Sequence, residues 1–251
     1  MWCLLAVLLA VVLLVWPVAG EQDCALHSDD QRSSFPLDGM ERHALCRLAG
    51  VVNDPTTSHV NPPVLTPIRK PVYDFLLDHV ALTAALIRTL GIGQYTIRQV
   101  GVQGIQGDDG QGSEALVHLI SRTSTQRVYH IQGMHRGKVF LLITGEAIVL
   151  LTSQTRTGND GKESVETRMA VYSRLDNPML ATLVKVLQPF LRGVINGKLA
   201  GPFLAVHRLG ELIAADPKQV YGHAETLSEL DKTELNTLRA LLVPSLAPAR
   251  P

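Results

Sequence analysis

The longest helical pattern in the chain, residues 176–217, is interrupted by prolines and glycines. Asn177 is a favourable N-cap, and Pro178 suits the first helical position because its fixed φ fits a helix there. Pro189 and Pro202 lack an amide hydrogen and clash with the preceding turn, so the helix should bend at the first and bend or break at the second. One face of the predicted helix is an apolar stripe made of Leu180, Leu183, Val184, Leu187, Leu191 and Val194.

The segment before this helix, residues 95–175, alternates between apolar and polar positions with a period of two, which is typical of β-strands. Glycine-rich turns of the hairpin type occur at residues 107–112 and 157–163. The pattern therefore predicts an antiparallel meander of about five or six strands. The last strand places four side chains on one face: Val165, Thr167, Met169 and Val171.

Helical spacing returns in shorter segments on either side of the long helix and the strands. Residues 72–91 predict a helix that the Asp78-His79 step divides in two. Residues 53–71 contain five prolines and predict an extended connector. Ser228 opens a capping box before a last helix, whose apolar side is formed by Leu235, Leu238 and Leu242.

The chain begins with an uninterrupted apolar run, residues 2–16. The run is short for a helix across a roughly 30 Å hydrocarbon core, and the small residues up to Gly20 suit signal peptidase. We therefore predict that residues 1–20 are a signal peptide and that the mature chain is exported, either periplasmic or secreted. The alternative is a membrane anchor formed by the uncleaved segment. A short helical pattern follows in residues 38–50.

Removal of the signal peptide leaves two cysteines, Cys24 and Cys46. An even number in an oxidising compartment predicts a disulfide, which would contribute roughly 3 kcal/mol to stability by closing the loop between them. The alternative is two unpaired thiols. The sequence contains no CxxC, CxxCH or paired Cys/His spacing, so neither a metal site nor a cofactor is predicted.

The charge balance and the absence of motifs limit the chemistry further. The chain has 23 basic and 23 acidic side chains, whereas nucleic-acid binders need an excess of Lys and Arg on one face, so nucleic acid is not a predicted partner. No GxSxG, HExxH, Walker A or EF-hand pattern occurs, and no catalytic residue is assigned. His130 and His135 fall on opposite faces of a continuous strand, which argues against a metal pair. Asp108 and Asp109 lie in a turn that their side chains stabilise.

The order of helix, strand meander and long C-terminal helix resembles the START-related, birch-pollen-allergen-like (SRPBCC) superfamily, which has the helix-grip fold. The early helices of that superfamily are similar to the segment VYDFLLDHVALTAALIRTLGIGQY. Its last strand and final helix are similar to the segment TRMAVYSRLDNPMLATLVKVLQPFLRGVINGKLAG. The resemblance covers about residues 64–215. It implies an α+β fold in which a curved antiparallel sheet wraps around a long C-terminal helix.

The resemblance also implies an apolar cavity between sheet and helix, in which a lipid or another apolar small molecule would bind. We predict that this cavity lies in a helix-grip-like domain, residues 64–224. The remaining parts are the signal peptide (1–20), an N-terminal arm and linker (21–63), a C-terminal helix (225–244) and a disordered tail (245–251). The predicted lining consists of Val117, Leu119, Ile131, Met169 and Val171 on the sheet, opposite Leu187, Leu191 and Val194 on the helix.

Three classes of function stay open on these grounds. The first is an exported binding protein for an apolar small molecule, which fits the absence of catalytic motifs. The second is a structural or interaction protein with a solid core. The third, and less favoured, is an enzyme of the cyclase or hydrolase type, because fold alone does not decide function.

One segment, residues 139–151, is apolar on both faces, although a sheet covered on one side should be polar on the other. Two elements are available to cover its outward face: the proline-rich connector, with Val60, Val64, Leu65 and Ile68, or the last helix. A partner subunit or a membrane surface is the alternative. The predicted covered or interacting surface consists of Phe140, Leu142, Ile148 and Leu150.

Overall fold

The computed structural model describes residues 24–101, 104–137, 142–186, 188–227 and 231–242, with side chains throughout except at residues 31–33, 183, 185, 186 and 188–196. The described residues contain one antiparallel sheet of eight strands. The strands are β1 (Thr57–Val60), β2 (Val64–Thr66), β3 (Thr96–Val100), β4 (Gly104–Asp108), β5 (Ser113–Arg122), β6 (Gln126–His135), β7 (Ile143–Thr157) and β8 (Glu163–Leu175).

The last six strands form the predicted meander, because β3 to β8 are neighbours in chain order. The glycine-rich turns lie where the sequence predicted them. Between β4 and β5, Gly110 and Gly112 have φ values of +67° and +88°, a region that glycine enters without a steric penalty. The predicted alternation in β8 is confirmed, since the side chains of Val165, Thr167, Met169 and Val171 are all buried.

The proline-rich connector does more than link two parts of the chain, because it adds β1 and β2 to the sheet. Both strands pair antiparallel with β8, the first opposite residues 170–173 and the second opposite residues 165–167. Pro62 and Pro63 separate them, since a proline cannot donate a hydrogen bond to the ladder. The sequence therefore predicted the extended backbone here but not its pairing.

The helices of the described residues lie before and after the strands. They are α1 (Asp29–Ser34), α2 (Arg42–Val52), α3 (Lys70–Asp78), α4 (Val80–Thr89), α5 (Pro178–Val186), α6 (Gln188–Ala215), α7 (Pro217–Glu225) and α8 (Lys232–Leu242). The predicted division at Asp78-His79 is confirmed by the boundary between α3 and α4. Pro189 lies in the first turn of α6, where no amide hydrogen is required, and α6 continues as a helix through Pro202.

The main core lies between one face of the sheet, here called the inner face, and the helices α3, α4, α6 and α8. Its most buried side chains include Leu76, Leu86, Leu209 and Leu238 from these helices and Val149 and Leu151 from β7. This is the helix-grip arrangement, in which a curved antiparallel sheet holds the long C-terminal helix α6. The predicted fold class is confirmed.

A second core covers the opposite, outer face of the sheet, and the covering element differs from both predicted ones. Leu48, Val51 and Val52 of α2, with Leu26 and Phe35, pack on an apolar patch formed by Val128, Ile148 and Leu150. The connector and the last helix pack elsewhere, since Ile68, Leu238 and Leu242 belong to the main core. Val60 and Leu65 are exposed.

The predicted interaction surface is corrected accordingly. Ile148 and Leu150 are buried by the chain's own N-terminal segment and cannot face a membrane or a second subunit. Leu142 is 53 % exposed, and Phe140 lies outside the described residues. The physical reason is that α2 carries an apolar face of the right size, whereas its short pattern in the sequence does not say which surface it meets.

The N-terminal segment is fastened by covalent and polar contacts. Cys24 and Cys46 are joined by a disulfide, in agreement with the predicted pairing. Asn53 also accepts a hydrogen bond from the amide of His27 and donates one to the carbonyl of Ala25. Over the residues described, no helix has both the length and the apolar character needed to cross a membrane.

Candidate functional site

Two cavities lie between the inner face of the sheet and α6. The first has a volume of about 640 Å³, and the second has a volume of about 550 Å³. Gly197 and Phe203 of α6 border both of them. These volumes are within the range of small-molecule sites, which is roughly 300–1,000 Å³.

Several small residues of α6 border the two cavities. Gly197 borders both cavities, Ala200 borders the second and Gly201 borders the first. Gly197 is exposed, and a Cβ atom added there would meet no heavy atom of the described residues within 4 Å outside its own helix backbone, so this position is open. Large apolar residues at these positions of α6 would reduce the volume of the cavities.

The first cavity is mostly apolar, with a charged pair on its border. Lys198 Nζ lies 2.8 Å from Asp109 Oδ2 and 3.0 Å from Gln111 Oε1, so it connects α6 to the turn between β4 and β5. Desolvation raises the pKa of Asp109, but hydrogen bonds from Lys198 and from the amides of Ser113 and Gln111 outweigh it and lower the pKa to about 2. The apolar part of the lining includes Leu76, Val80, Ile87, Ile97, Ile105 and Val117.

Two tyrosines add neutral hydroxyl groups to the first cavity. Burial raises the pKa of Tyr129 to about 12, and its ring lies 5.9 Å from that of Phe203. Burial and the negative charge of Asp109 also raise the pKa of Tyr95, against the opposing effect of Arg208. Both phenols therefore remain protonated at neutral pH and can donate a hydrogen bond.

The second cavity lies on the other side of Phe203, against β2 and β8. Two of the residues that border it are hydrogen-bonded to each other, since Thr66 Oγ1 lies 3.0 Å from His207 Nδ1. Outside the lining, His207 Nε2 lies 3.4 Å from Glu211 Oε1. Tyr73 and Thr167 also border this cavity, and the hydroxyl oxygen of Thr167 is itself buried. Burial raises the pKa of Tyr73, so its phenol is also neutral.

A buried charged network fixes α3 against the sheet near these walls. Arg127 of β6 is almost fully buried and binds Asp78, while its Nη2 atom lies 3.3 Å from Asp74 Oδ1. Arg122 binds both carboxylate oxygens of Asp78, at 2.8 and 2.9 Å. Desolvation raises the pKa of Asp78, but the hydrogen bond and positive charge of Arg127, with Arg122, lower it overall. The network therefore positions α3, which carries Tyr73.

The predicted ligand-contact residues divide into three groups. Val117 borders the first cavity and Met169 borders the second. Val171 belongs to the main core, Leu119 and Ile131 pack against it, and none of the three borders either cavity. Among the helix residues, Leu187 lies outside the described residues, and the side chains of Leu191 and Val194 on α6 are not described either.

Sequence reasoning missed the polar residues that the fold brings together. Asp109 was assigned only a local turn role, which it also has, because its Oδ1 atom accepts hydrogen bonds from the amides of Gln111 and Ser113. Its partner Lys198 is 89 positions away, and no local pattern points to that contact. Across the described residues, no group of three or more potential metal ligands comes together.

Comparison with known proteins finds similarity to solved structures only. No protein-family model and no curated protein sequence matches the chain. Among solved structures, a conserved protein from Geobacillus kaustophilus matches with 12 % identity and a TM-score of 0.43, over 62 % of this chain and 95 % of its own. Ara h 8.0201 matches with 16 % identity and a TM-score of 0.35, over 61 % of this chain and 98 % of its own.

A third similar structure is the di-domain ARO/CYC BexL from the BE-7585A biosynthetic pathway. It matches with 16 % identity and a TM-score of 0.39, over 80 % of this chain and 58 % of its own. Ara h 8.0201 and BexL have the helix-grip fold of the superfamily that the sequence resembles. Because the TM-scores are below 0.5, the fold of this chain is assigned from its own strand order and its own long helix.

Proposed function

We propose that the protein binds an apolar small molecule, such as a lipid, in the cavities between the inner face of the sheet and α6. The observation that carries this proposal is the pair of cavities around Phe203, each of several hundred Å³, with largely apolar linings and a few convergent polar groups. A protein interior with a purely structural role is close-packed and contains few voids larger than a water molecule. The cavities therefore favour ligand binding over a solid core.

The proposed ligand contacts include both predicted and newly found residues. Val117 and Met169 contribute apolar surface, one in each cavity. Phe203 contacts a ligand in either cavity, since it borders both. The helix residues Leu187, Leu191 and Val194 remain part of the proposed lining.

We also propose that the mature protein is exported and that it acts outside the reducing cytoplasm. The disulfide between Cys24 and Cys46 supports this proposal, because disulfides persist in oxidising compartments. N-terminal sequencing of the purified protein tests it. A mature chain that begins within one or two residues of Glu21 is expected, and an intact Met1 would contradict cleavage.

A substitution in the wall that the cavities share tests ligand binding. Gly197→Leu adds a side chain at the exposed border that the two cavities share, where the added Cβ meets no described atom outside its own helix within 4 Å, so it should narrow both cavities without overpacking. Gly222→Leu on α7 is the matched control, because its added Cβ also meets nothing within 4 Å and it borders neither cavity. Affinity for the neutral dye Nile red, titrated into the full mature chain, is the measurement.

We expect Gly197→Leu to weaken dye binding about tenfold or more, equivalent to about 1.4 kcal/mol, while Gly222→Leu leaves it unchanged. Melting temperatures should not fall in either variant, because leucine is a better helix former than glycine. Equal dye binding by the wild type and both variants would contradict the proposed site. Native mass spectrometry of the wild type with lipid extraction then identifies any co-purifying molecule.

A further inference from the structure

The hydroxyl group of Tyr95 lies between the sheet and α6 at the border of the first cavity. Tyr95 directly precedes the edge strand β3, and it borders this cavity together with Gly201 of α6. A Cβ atom built at Gly201 would lie 3.0 Å from the hydroxyl oxygen of Tyr95, and one built at Gly93 would lie 2.7 Å from a carbon of its ring. Glycine at both positions therefore leaves the space that the phenol occupies.

This hydroxyl is accessible and has no hydrogen-bond partner within the part of the chain that the structure describes. Tyr95 is half-buried, and no hydrogen bond contributes to the pKa of its phenol. Among the described residues, the fully buried side-chain atoms without a partner are His130 Nδ1, Thr167 Oγ1 and Arg239 Nε, so the unpaired oxygen of Tyr95 is not a fully buried one. A molecule in the first cavity can therefore reach it.

The charges near the phenol keep it neutral. Burial raises the pKa of Tyr95, the negative charge of Asp109 raises it further, and the positive charge of Arg208 opposes these effects. Asp109 is paired with Lys198, whose Nζ atom lies 2.8 Å from its Oδ2 atom. Lys198 lies three positions before Gly201 and hence on the same face of α6, so the ion pair and the phenol are neighbours at this end of the cavity.

An ionised ligand group of either sign fits poorly beside Tyr95. Of the charges that act on the phenol, the negative charge of Asp109 has the larger effect, so a ligand carboxylate would be repelled. A ligand ammonium would have to compete with Lys198 for Asp109, and it would also lie near the positive charge of Arg208. A neutral oxygen loses less on desolvation than a charged group and can accept a hydrogen bond from the phenol.

The remainder of the first cavity fits an apolar body. Beyond Tyr95, its lining includes side chains of α3 and α4, the two helices that pack against the inner face before β3. These side chains are Leu76, Leu77, Val80, Ala84 and Ile87. A ligand with one polar end and an apolar remainder would thus match both parts of the cavity.

We propose that Tyr95 determines the specificity of the first cavity by selecting an apolar ligand that carries one neutral oxygen, a ketone carbonyl or a hydroxyl, at one end. The oxygen accepts a hydrogen bond from the phenol, and the apolar remainder lies against α3 and α4. This inference rests on the proposed function, since it names the class of ligand that the same cavities take.

The test compares two probes of nearly the same shape, 2-decanone and 2-methyl-1-decene, in which a carbonyl oxygen is replaced by a methylene group. Decanoate is the ionised probe of similar length. Three full mature chains are compared: the wild type, Tyr95→Phe, which loses only the hydroxyl, and the matched control Tyr172→Phe. Tyr172 is a half-buried tyrosine on the outer face that borders neither cavity.

Affinities are measured by displacement of Nile red, whose own affinity is determined separately for each protein. We expect the wild type to bind the ketone more tightly than the alkene or decanoate at neutral pH. Tyr95→Phe should reduce affinity for the ketone about three- to tenfold, as expected for one neutral hydrogen bond, without changing affinity for the alkene. Tyr172→Phe should change neither affinity. The melting temperature of ligand-free Tyr95→Phe should equal that of the wild type, because its hydroxyl has no protein partner to lose.

The outcomes separate this inference from the proposed function. If both probes bind but Tyr95→Phe changes their affinities equally or not at all, the cavity binds ligands and the role of Tyr95 is wrong. That role is also wrong if Tyr172→Phe has the same effect on the ketone. Tighter binding of decanoate than of the ketone would overturn the assignment of a neutral oxygen. If neither the ketone nor the alkene displaces the dye from the wild type, the proposed function fails and this inference fails with it.

Discussion

The close contact between α6 and β2 depends on Gly210 of α6. Replacing this glycine tests how closely the helix packs against the sheet. A Cβ atom at Gly210 would lie 2.3 Å from Thr66 Cγ2 and 3.2 Å from Ile68 Cδ1. The first distance is more than 1 Å shorter than the ordinary carbon–carbon contact of about 3.5 Å. Gly210→Ala therefore requires Thr66 or the helix to move.

Thr66 cannot move away at low cost. Its residue is 1 % exposed, its strand is paired with β8, and its hydroxyl is hydrogen-bonded to His207 at 3.0 Å. Rotation of its side chain would remove the methyl group from the clash but would break that hydrogen bond. Overpacking of this kind costs about 1–3 kcal/mol, and alanine recovers about 1 kcal/mol of helix propensity. We expect Gly210→Ala to lower the free energy of unfolding by up to about 2 kcal/mol.

Urea unfolding followed by circular dichroism measures this change. Gly222→Ala is the control, because its added Cβ meets nothing within 4 Å and the substitution should be neutral or stabilising by up to about 1 kcal/mol. A second test places Gly210→Ala in a Thr66→Ser background, which lacks Cγ2 and keeps the hydroxyl. The cost should then fall by about half or more. If Gly210→Ala is as stable as Gly222→Ala, the close approach of α6 to β2 is refuted.

Two further predictions concern pH and the ion pair. Burial lowers the pKa of His130, against the opposing effect of Glu146, so the free energy of unfolding should fall as the pH drops below about 6.5. His130→Gln should remove this pH dependence, which amounts to at most about 1.4 kcal/mol per pH unit. Urea unfolding of both proteins at several pH values measures it, and identical pH profiles would contradict a role of His130. The pKa of Asp109, about 2, means that its pair with Lys198 stabilises the fold above about pH 4 and that this contribution is lost as the pH falls toward 2. A double-mutant cycle of Asp109→Asn and Lys198→Met at neutral pH should give a coupling of about 0.5–1 kcal/mol, and additive effects would show that the pair contributes nothing.

The elements that the sequence predicted well are those with a strong local period. The alternation in β8 and the helical spacing of residues 72–91 depend on neighbours within a few positions, so one segment contains the whole signal. The boundary at Asp78-His79 was also visible for this reason. The order of these elements then sufficed for the resemblance to the helix-grip fold.

The elements that the sequence did not predict depend on contacts with residues far away along the chain. β1 and β2 pair with β8 about 100 positions or more later, and the prolines between them hide the strand pattern. The cover of the outer face was assigned to the wrong segment because α2, the connector and α8 all have apolar positions. The face of the sheet that each of these three segments covers depends on packing throughout the molecule. The disulfide that joins Cys46 of α2 to Cys24 contributes to this packing.

A cavity is even harder to predict from the sequence, because it depends on how closely two surfaces from distant segments pack together. Val117 and Leu119 are both inward-facing residues of β5, yet Val117 borders the first cavity and Leu119 packs in the core. Their own pattern cannot distinguish them. What lies opposite each of them is set by α6, which borders the first cavity with Gly197 and Gly201 as well as with larger residues such as Phe203. The glycines that look like helix breakers in the sequence therefore border the proposed binding space, and Gly197→Leu should weaken dye binding about tenfold or more while it strengthens the helix.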